Sequence, residues 1–165
     1  MAFNIAIDGP AGAGKSTIAR ALAKRLSYIY VDTGAMYRAM ALYLLREGIS
    51  AEDSGRIEEA CERVDISIIY EDNVQKVLLN GEDVSSLIRS EEVGNMASRS
   101  AQNGRVREKL VELQRQLAAK TDVVMDGRDI GTCVLPGADV KIYLTASVHT
   151  RAVRRYKEYL EKGMA

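Results

Sequence analysis

Apolar residues open this chain as a tight block. Residues 3–7, "FNIAI", read as a buried strand because the run is short, continuous and followed by glycines. Beyond the glycines the apolar period lengthens. Ile18, Leu22 and Leu26 recur at a spacing of four, which predicts a helix over 16–26. A second short block, "YIYV" at 28–31, predicts a strand ending at Asp32. A helix over 35–46 follows, closed by Gly48. Residues 58–64 continue as helix, with Ile57, Cys61 and Val64 on one side.

At residue 65 the pattern changes. "DISIIYEDNVQKVLLNGEDVSSLI" holds two strand-like runs broken by Glu-Asp-Asn and then an Asn-Gly turn, which is the signature of hairpins rather than of strand-helix-strand units. Residues 65–88 are therefore expected to form a small antiparallel insertion, with 1–64 and 89–165 as the core. Helices resume at Ser90. "RVREKLVELQRQLAAK" is amphipathic, with Val106, Leu110, Leu113 and Leu117 as its stripe. "VVM" leads into "DGRD", residues 140–144 ("VKIYL") predict a last strand, and Ser147 is placed to cap a helix running to about residue 162. Strands separated by helices predict a parallel sheet covered on both faces, with four core strands and one hairpin insert.

Composition narrows the class. The 165 residues suit one domain, and 47% hydrophobic with 28% charged residues is the balance of a soluble globular protein. Lys and Arg number 23, as do Asp and Glu, so no global field attracts nucleic acid or an anionic membrane. No apolar run approaches the ~20 residues that span a bilayer. "MAFNIAIDG" lacks the regions of a signal peptide. Cys61 and Cys133 make neither a disulfide framework nor a metal pair and are expected to be reduced and mostly buried. The expectation is a cytoplasmic protein.

The first chemistry lies in "GPAGAGKST", residues 9–17. It matches G-x-x-x-x-G-K-[ST], placed directly between a strand and a helix. Gly9, Pro10, Ala11, Gly12, Ala13 and Gly14 would curl so that backbone N–H groups face phosphate oxygens. The helix behind adds its N-terminal partial charge. Lys15 would reach the β/γ-phosphates, and Ser16 would ligate Mg²⁺, with Thr17 completing the loop. The loop alone fits a GTPase, an ATPase motor or a small-molecule kinase. The guanine-reading Asn-Lys-x-Asp is missing, and a motor needs a partner and usually a longer chain. Arg38, Arg107 and Arg128, at turn-like or helix-start positions, suit an acceptor that is itself a phosphate, because two polyanions meet only where bidentate cations intervene.

The segments "IDGPAGAGKST", "DTGAMYR", "NGEDVS", "VRE" and "DGRDIGT", with "KIYL" beyond them, together resemble the bacterial cytidylate kinases over essentially the whole chain. The resemblance implies an α/β P-loop fold: three α/β/α layers, a parallel core sheet and a small antiparallel insertion for the nucleoside monophosphate. It implies Mg²⁺-dependent transfer from ATP to CMP or dCMP by a monomer that binds neither nucleic acid nor membrane. Thr33, Tyr37 and Arg38 match the acceptor site, with Arg38 on the CMP phosphate and Tyr37 near the sugar. Ser98 and Arg107 match positions that contact cytosine. Arg128 would hold the acceptor phosphate, and Asp129 would accept from the cytosine amino group, facing the uracil carbonyl repulsively. Lys15, Arg38 and Arg128 are the catalytic candidates.

Asp126 and Asp32 stand where either an Mg²⁺-organising or a turn-forming carboxylate belongs. His149 is given no role, and the basic "RAVRRYKEY" leads toward a lid or is a solvated face. Family members continue past "EYLEKG" into a lid with further arginines, a last strand and a last helix. This chain is accordingly expected to lack that lid and strand, to leave a sheet edge exposed, and to bind nucleotide better than it turns it over. Two other readings stay open: a P-loop kinase for another small molecule, and a nucleotide-binding module inactive without its lid.

Overall fold

The computed structural model describes residues 2–10, 12–72 and 74–145. In chain order its elements are β1 (Asn4–Asp8), α1 (Lys15–Leu26), β2 (Ile29–Tyr30), α2 (Thr33–Arg46), α3 (Ser54–Arg63), β3 (Ile66–Glu71), β4 (Val74–Leu79), β5 (Glu82–Asp83), α4 (Glu91–Ser100), α5 (Gly104–Lys120), β6 (Val123–Gly127), a single π-helical turn (Ile130–Val134) and β7 (Val140–Tyr143). They form two compact units, Met1–Tyr30 with Thr121–Ala165, and Val31–Lys120.

The first unit is built on a four-stranded parallel sheet in the order β2-β6-β1-β7. Ile5, Ala6 and Ile7 on β1, and Val123, Val124 and Met125 on β6, are buried without alternation, as befits parallel strands covered on both faces. The register is fixed by β1 against β6, from Asn4↔Val123 to Asp8↔Gly127. The expected α/β architecture and its four core strands are thus present. Strand β7 ends the sheet order among the described residues, and Tyr143 on it is 67% exposed.

Helix α1 spans Lys15–Leu26, as the spacing of four predicts to within a residue. The residues it turns to the core are Ala19 and Ala23, with Leu22 packed alongside, against Ile5, Ile7 and Val124. Ile18 and Leu26, each 43% exposed, lie on the flanks of that face. Two alanines one turn apart let the helix axis come close to the sheet, and the larger side chains ride beside the contact. Strand β2 is shorter than the apolar block suggested, because the Tyr28 amide is engaged by the Ala23 carbonyl at the end of α1 (2.8 Å). Cys133 departs from the expected burial. It is exposed, because the inward positions of its turn are held by Ile130, Gly131 and Val134.

The second unit gathers α2, α3, α4 and α5 with the antiparallel sheet β3-β4-β5. Met36, Met40, Leu44, Ile57, Ile66, Ile68, Val84, Val106 and Leu110 are fully buried. The hairpin pairs Ile66↔Leu79 through Glu71↔Val74, and the Asn80-Gly81 turn has both residues at positive φ (50° and 87°). That is the mirror-image turn whose twist suits a two-residue hairpin. The short β5, which the apolar pattern does not announce, adds to its edge at Leu78↔Asp83.

Three side chains start the helices. Asp32 accepts from Ala35 N–H (3.1 Å), Asp53 from Arg56 N–H (3.2 Å) and Ser90 from Val93 N–H (3.2 Å). Helices α2 and α3 therefore begin before the apolar period becomes visible. On α5 the stripe is Val106, Leu110 and Leu113, with Gln114 and Ala118 buried beyond it and Leu117 only half-buried. Among the described residues no helix is long and apolar enough to cross a membrane. The Ser147 cap, His149 and the basic segment after it lie outside the described residues.

Candidate functional site

The phosphate loop leaves β1 at Asp8 and enters α1 at Lys15. Gly12 and Gly14 adopt positive φ (81° and 87°), which an L side chain rarely accepts. Gly9 is constrained differently. A Cβ there would lie 2.4 Å from the Leu144 carbonyl oxygen, so the loop starts in close contact with the backbone beyond β7. Ala13 N–H bonds to the Pro10 carbonyl (3.3 Å), closing the curl, and Ala13 is buried. Gly14 caps α1 without a side chain, and no acidic residue stands in the first turn. The opening amides of that helix thus meet no competing carboxylate from their own turn, which suits an anion. The Lys15 ammonium donates to the Pro10 carbonyl (3.1 Å), folded back over its own loop. Ser16 and Thr17 follow, both exposed, while Ala11 is outside the described residues.

The same unit carries the "DGRD" turn. Gly9 N–H bonds to the Gly127 carbonyl (3.2 Å), so the loop and the segment bearing Arg128 and Asp129 start side by side. Arg128 is exposed and Asp129 half-buried. The Asp129 carbonyl accepts from Cys133 N–H (2.8 Å) and Val134 N–H (3.3 Å), which closes the π-helical turn. Two partners were missed by sequence reasoning. The Asp8 carboxylate accepts from Ile130 N–H (2.7 Å) and Gly131 N–H (2.8 Å). Asp126, one of the two open carboxylates, accepts from the Tyr30 hydroxyl (2.6 Å), and the Arg20 guanidinium lies over the Tyr30 ring at 5.1 Å. The signal for Asp8 was present: a carboxylate ending an apolar strand immediately before a glycine loop.

In the second unit α2 presents Thr33, Tyr37 and Arg38 from its first two turns. Asp32, the other open carboxylate, is their helix cap. Arg38 donates to the Ile88 carbonyl (3.3 Å), and Gly94 of α4 lies beside its guanidinium, where a Cβ would make ordinary contact at 3.7 Å. Burial pushes the Tyr37 phenol above its ordinary value, and the neighbouring Arg107 guanidinium pulls it the other way. The fold thus brings Tyr37 and Arg107 together, although 70 positions separate them in the sequence. Arg107 in the first turns of α5 and Ser98 on α4 are exposed.

A family model described as cytidylate kinase matches residues 5–165. The chain is similar to the cytidylate kinase of Carboxydothermus hydrogenoformans, at 55% identity over 161 residues that cover 98% of this chain and 72% of that protein. The cytidylate kinase of Bacillus subtilis is 52% identical with the same coverage. That of Caldicellulosiruptor bescii is 53% identical, covering 98% of this chain and 71% of its own. The match extends from the phosphate loop through α2, α4, α5 and the "DGRD" turn, so among the P-loop kinases left open by the loop it selects one acceptor class. The chain belongs to the cytidylate kinase family, whose members are nucleoside monophosphate kinases.

Proposed function

We propose that this chain transfers the γ-phosphoryl group of ATP to CMP or dCMP, giving CDP or dCDP. The observation that carries the reading is the occurrence, within a chain of this family, of a glycine loop whose helix has no acidic residue in its first turn and of an arginine-bearing turn hydrogen-bonded beside it.

Residues 9–17 hold the triphosphate through backbone N–H groups, and Lys15 swings from the Pro10 carbonyl onto the β/γ oxygens. Arg38 and Arg128 hold the acceptor phosphate, whose oxygen is the nucleophile and is ionised at neutral pH, so no general base is required. Catalysis is then positioning and charge stabilisation of an in-line displacement. Thr33 and Tyr37 bound the acceptor's sugar and phosphate. Ser98, Arg107 and Asp129 read the cytosine ring, and Asp129 accepts from its amino group.

A hydroxyl at the start of α1 suits Mg²⁺, which takes one or two protein ligands and completes its shell with phosphate oxygens and water. The Ser16 hydroxyl would hold the ion. When bound, Mg²⁺ neutralises charge on the β and γ oxygens. The same reading makes the protein a cytoplasmic monomer whose partners are nucleotides alone, with no nucleic acid or membrane.

The test is a coupled assay of nucleoside diphosphate formation from ATP and Mg²⁺ with CMP, dCMP, UMP and AMP as acceptors. CMP and dCMP should lead. Equal rates for UMP, or no turnover with any acceptor beside tight ATP binding in calorimetry, would overturn the assignment.

A further inference from the structure

Arg128 is carried on a short tip between β6 and the π-helical turn. The base of that tip is closed. A Cβ on Gly127, the residue before Arg128, would come within 2.8 Å of the Ile130 side chain, so Gly127 and Ile130 lie against each other with Arg128 and Asp129 looped out between them. A contact this close needs a glycine at 127.

Both feet of the tip stand on the two residues that lead into the phosphate loop. On one side Gly9 N–H donates to the Gly127 carbonyl (3.2 Å). On the other, Asp8 accepts from Ile130 N–H at 2.7 Å with one oxygen and from Gly131 N–H at 2.8 Å with the other. Ile130 and Gly131 are buried, so their amides need a protein partner. A carboxylate bonds such amides more strongly than a neutral acceptor does. A Cβ on Gly131 would lie 3.3 Å from the Asp8 Oδ2 and 3.2 Å from the Lys141 side chain, and the glycine leaves the carboxylate that space. Asp8 is itself fixed. It lies in register with Gly127 on one side and Tyr143 on the other, and its carbonyl accepts from Leu144 N–H (2.8 Å).

The Arg128 side chain is exposed, so its place is set by the backbone that bears it. Where catalysis is positioning, a displacement of about 1 Å costs on the order of a hundredfold. We infer that Asp8 is a positioning residue for phosphoryl transfer: its carboxylate ties the tip to the start of the phosphate loop, so that Arg128 keeps one place relative to the amides that grip the donor. The inference rests on the reading of Arg128 as a group that holds the acceptor phosphate.

The experiment measures kcat and KM with CMP, the Kd of ATP by calorimetry without acceptor, and the melting temperature. The proteins are the wild type, Asp8→Asn, Gly131→Ala, Arg128→Ala and the Asp8→Asn, Arg128→Ala double variant. Asn keeps the size and one accepting oxygen but turns an NH₂ toward the second amide. In Asp8→Asn kcat should fall about tenfold, with the Kd of ATP changed less than kcat. Gly131→Ala presses on the carboxylate without removing it. It should lower kcat by less, and it carries the test if Asp8→Asn does not fold. Arg128→Ala should lose more than either. Adding Asp8→Asn to it should cost little further, because a misplaced arginine and an absent one fail at the same step.

ATP binding that weakens in step with kcat would mean that the carboxylate serves the phosphate loop itself, and would overturn the proposal. So would losses that multiply in the double variant, or a lower melting temperature with kcat unchanged. If Arg128→Ala keeps the wild-type kcat and KM, the reading of Arg128 fails and the proposal falls with it. A loss in Arg128→Ala beside an unchanged kcat in Asp8→Asn and Gly131→Ala sinks the Asp8 proposal alone.

Discussion

The two units hold their candidate residues by different means. In the first, the working groups are mainly backbone: a loop with two glycines at positive φ, a helix start and a turn clamped by Asp8. In the second they are side chains projected from α2, α4 and α5, three helices far apart in sequence. A phosphate is read by anything that presents several N–H groups to one point, so a contiguous stretch suffices. A particular base is read by donors and acceptors at set positions on its edge, and these come from wherever the fold supplies them. The donor side of such an enzyme is therefore compact in sequence, whereas the acceptor side is dispersed.

The largest effect should separate the two kinds of group most sharply. Lys15→Ala removes the side chain proposed to meet the β/γ oxygens and should lower turnover on the order of a thousandfold in the coupled assay. The melting temperature should stay within a degree or two, because among the described residues the ammonium bonds to the carbonyl of Pro10 in its own loop. A comparable loss from every alanine in the glycine loop, with Lys15→Ala mild, would reverse the comparison.

Next comes Gly9→Ala. Its Cβ would press on the Leu144 carbonyl oxygen at 2.4 Å, and backbone on both sides leaves little to yield. A loss of about 2 kcal/mol in urea unfolding is expected. This change should damage stability and ATP binding together, as befits a site made from main chain.

Asp32→Ala tests the other side. It removes the cap of α2 and should cost about 1 kcal/mol. Since Thr33, Tyr37 and Arg38 lie in the turns so loosened, KM for CMP should rise severalfold while KM for ATP holds. Equal rises would mean that the second unit is not specialised for the acceptor.

The smallest effect is in pH. Burial raises the Tyr37 phenol above 10.0, and the folded chain therefore retains that proton where the unfolded chain has released it. The resulting contribution is fully present below pH 10 and is lost as the pH climbs through the folded value. The difference in melting temperature between wild type and Tyr37→Phe should be flat from neutral pH to about 10 and narrow beyond it. A slope at neutral pH would assign Tyr37 a more exposed setting.

What could be seen in the sequence follows the same division. The phosphate loop was legible because its spacing encodes backbone geometry, and the Asn80-Gly81 turn for the same reason. Helix starts were less so: Asp32 and Asp53 sit ahead of the apolar period that marks α2 and α3, so the period alone places both starts late. The spacing of Ile18, Leu22 and Leu26 located helix α1 but not its inward face, because alanines, which carry little hydrophobic signal, occupy the close contact with the sheet. Cys133 misled because burial in a five-residue turn follows the turn's geometry rather than residue type. Arg38, Arg107 and Arg128 could be picked out as cations suited to a phosphate, but Thr33, Tyr37, Ser98 and Asp129 were named only from likeness to the family; neither periodicity nor spacing links Tyr37 to Arg107. Asp8 was in plain view beside the glycines and went unread, since its partners lie at the far end of the chain.

The in-register pairing of Asp8 with Gly127 also bears on how such a chain can vary in length. Deleting one residue from β6 would draw the turn back by about 3.3 Å and send alternate side chains to the opposite face. The carboxylate would then miss both amides at once. The spans from Asn4 to Asp8 and from Val123 to Gly127 are therefore held to a constant residue count.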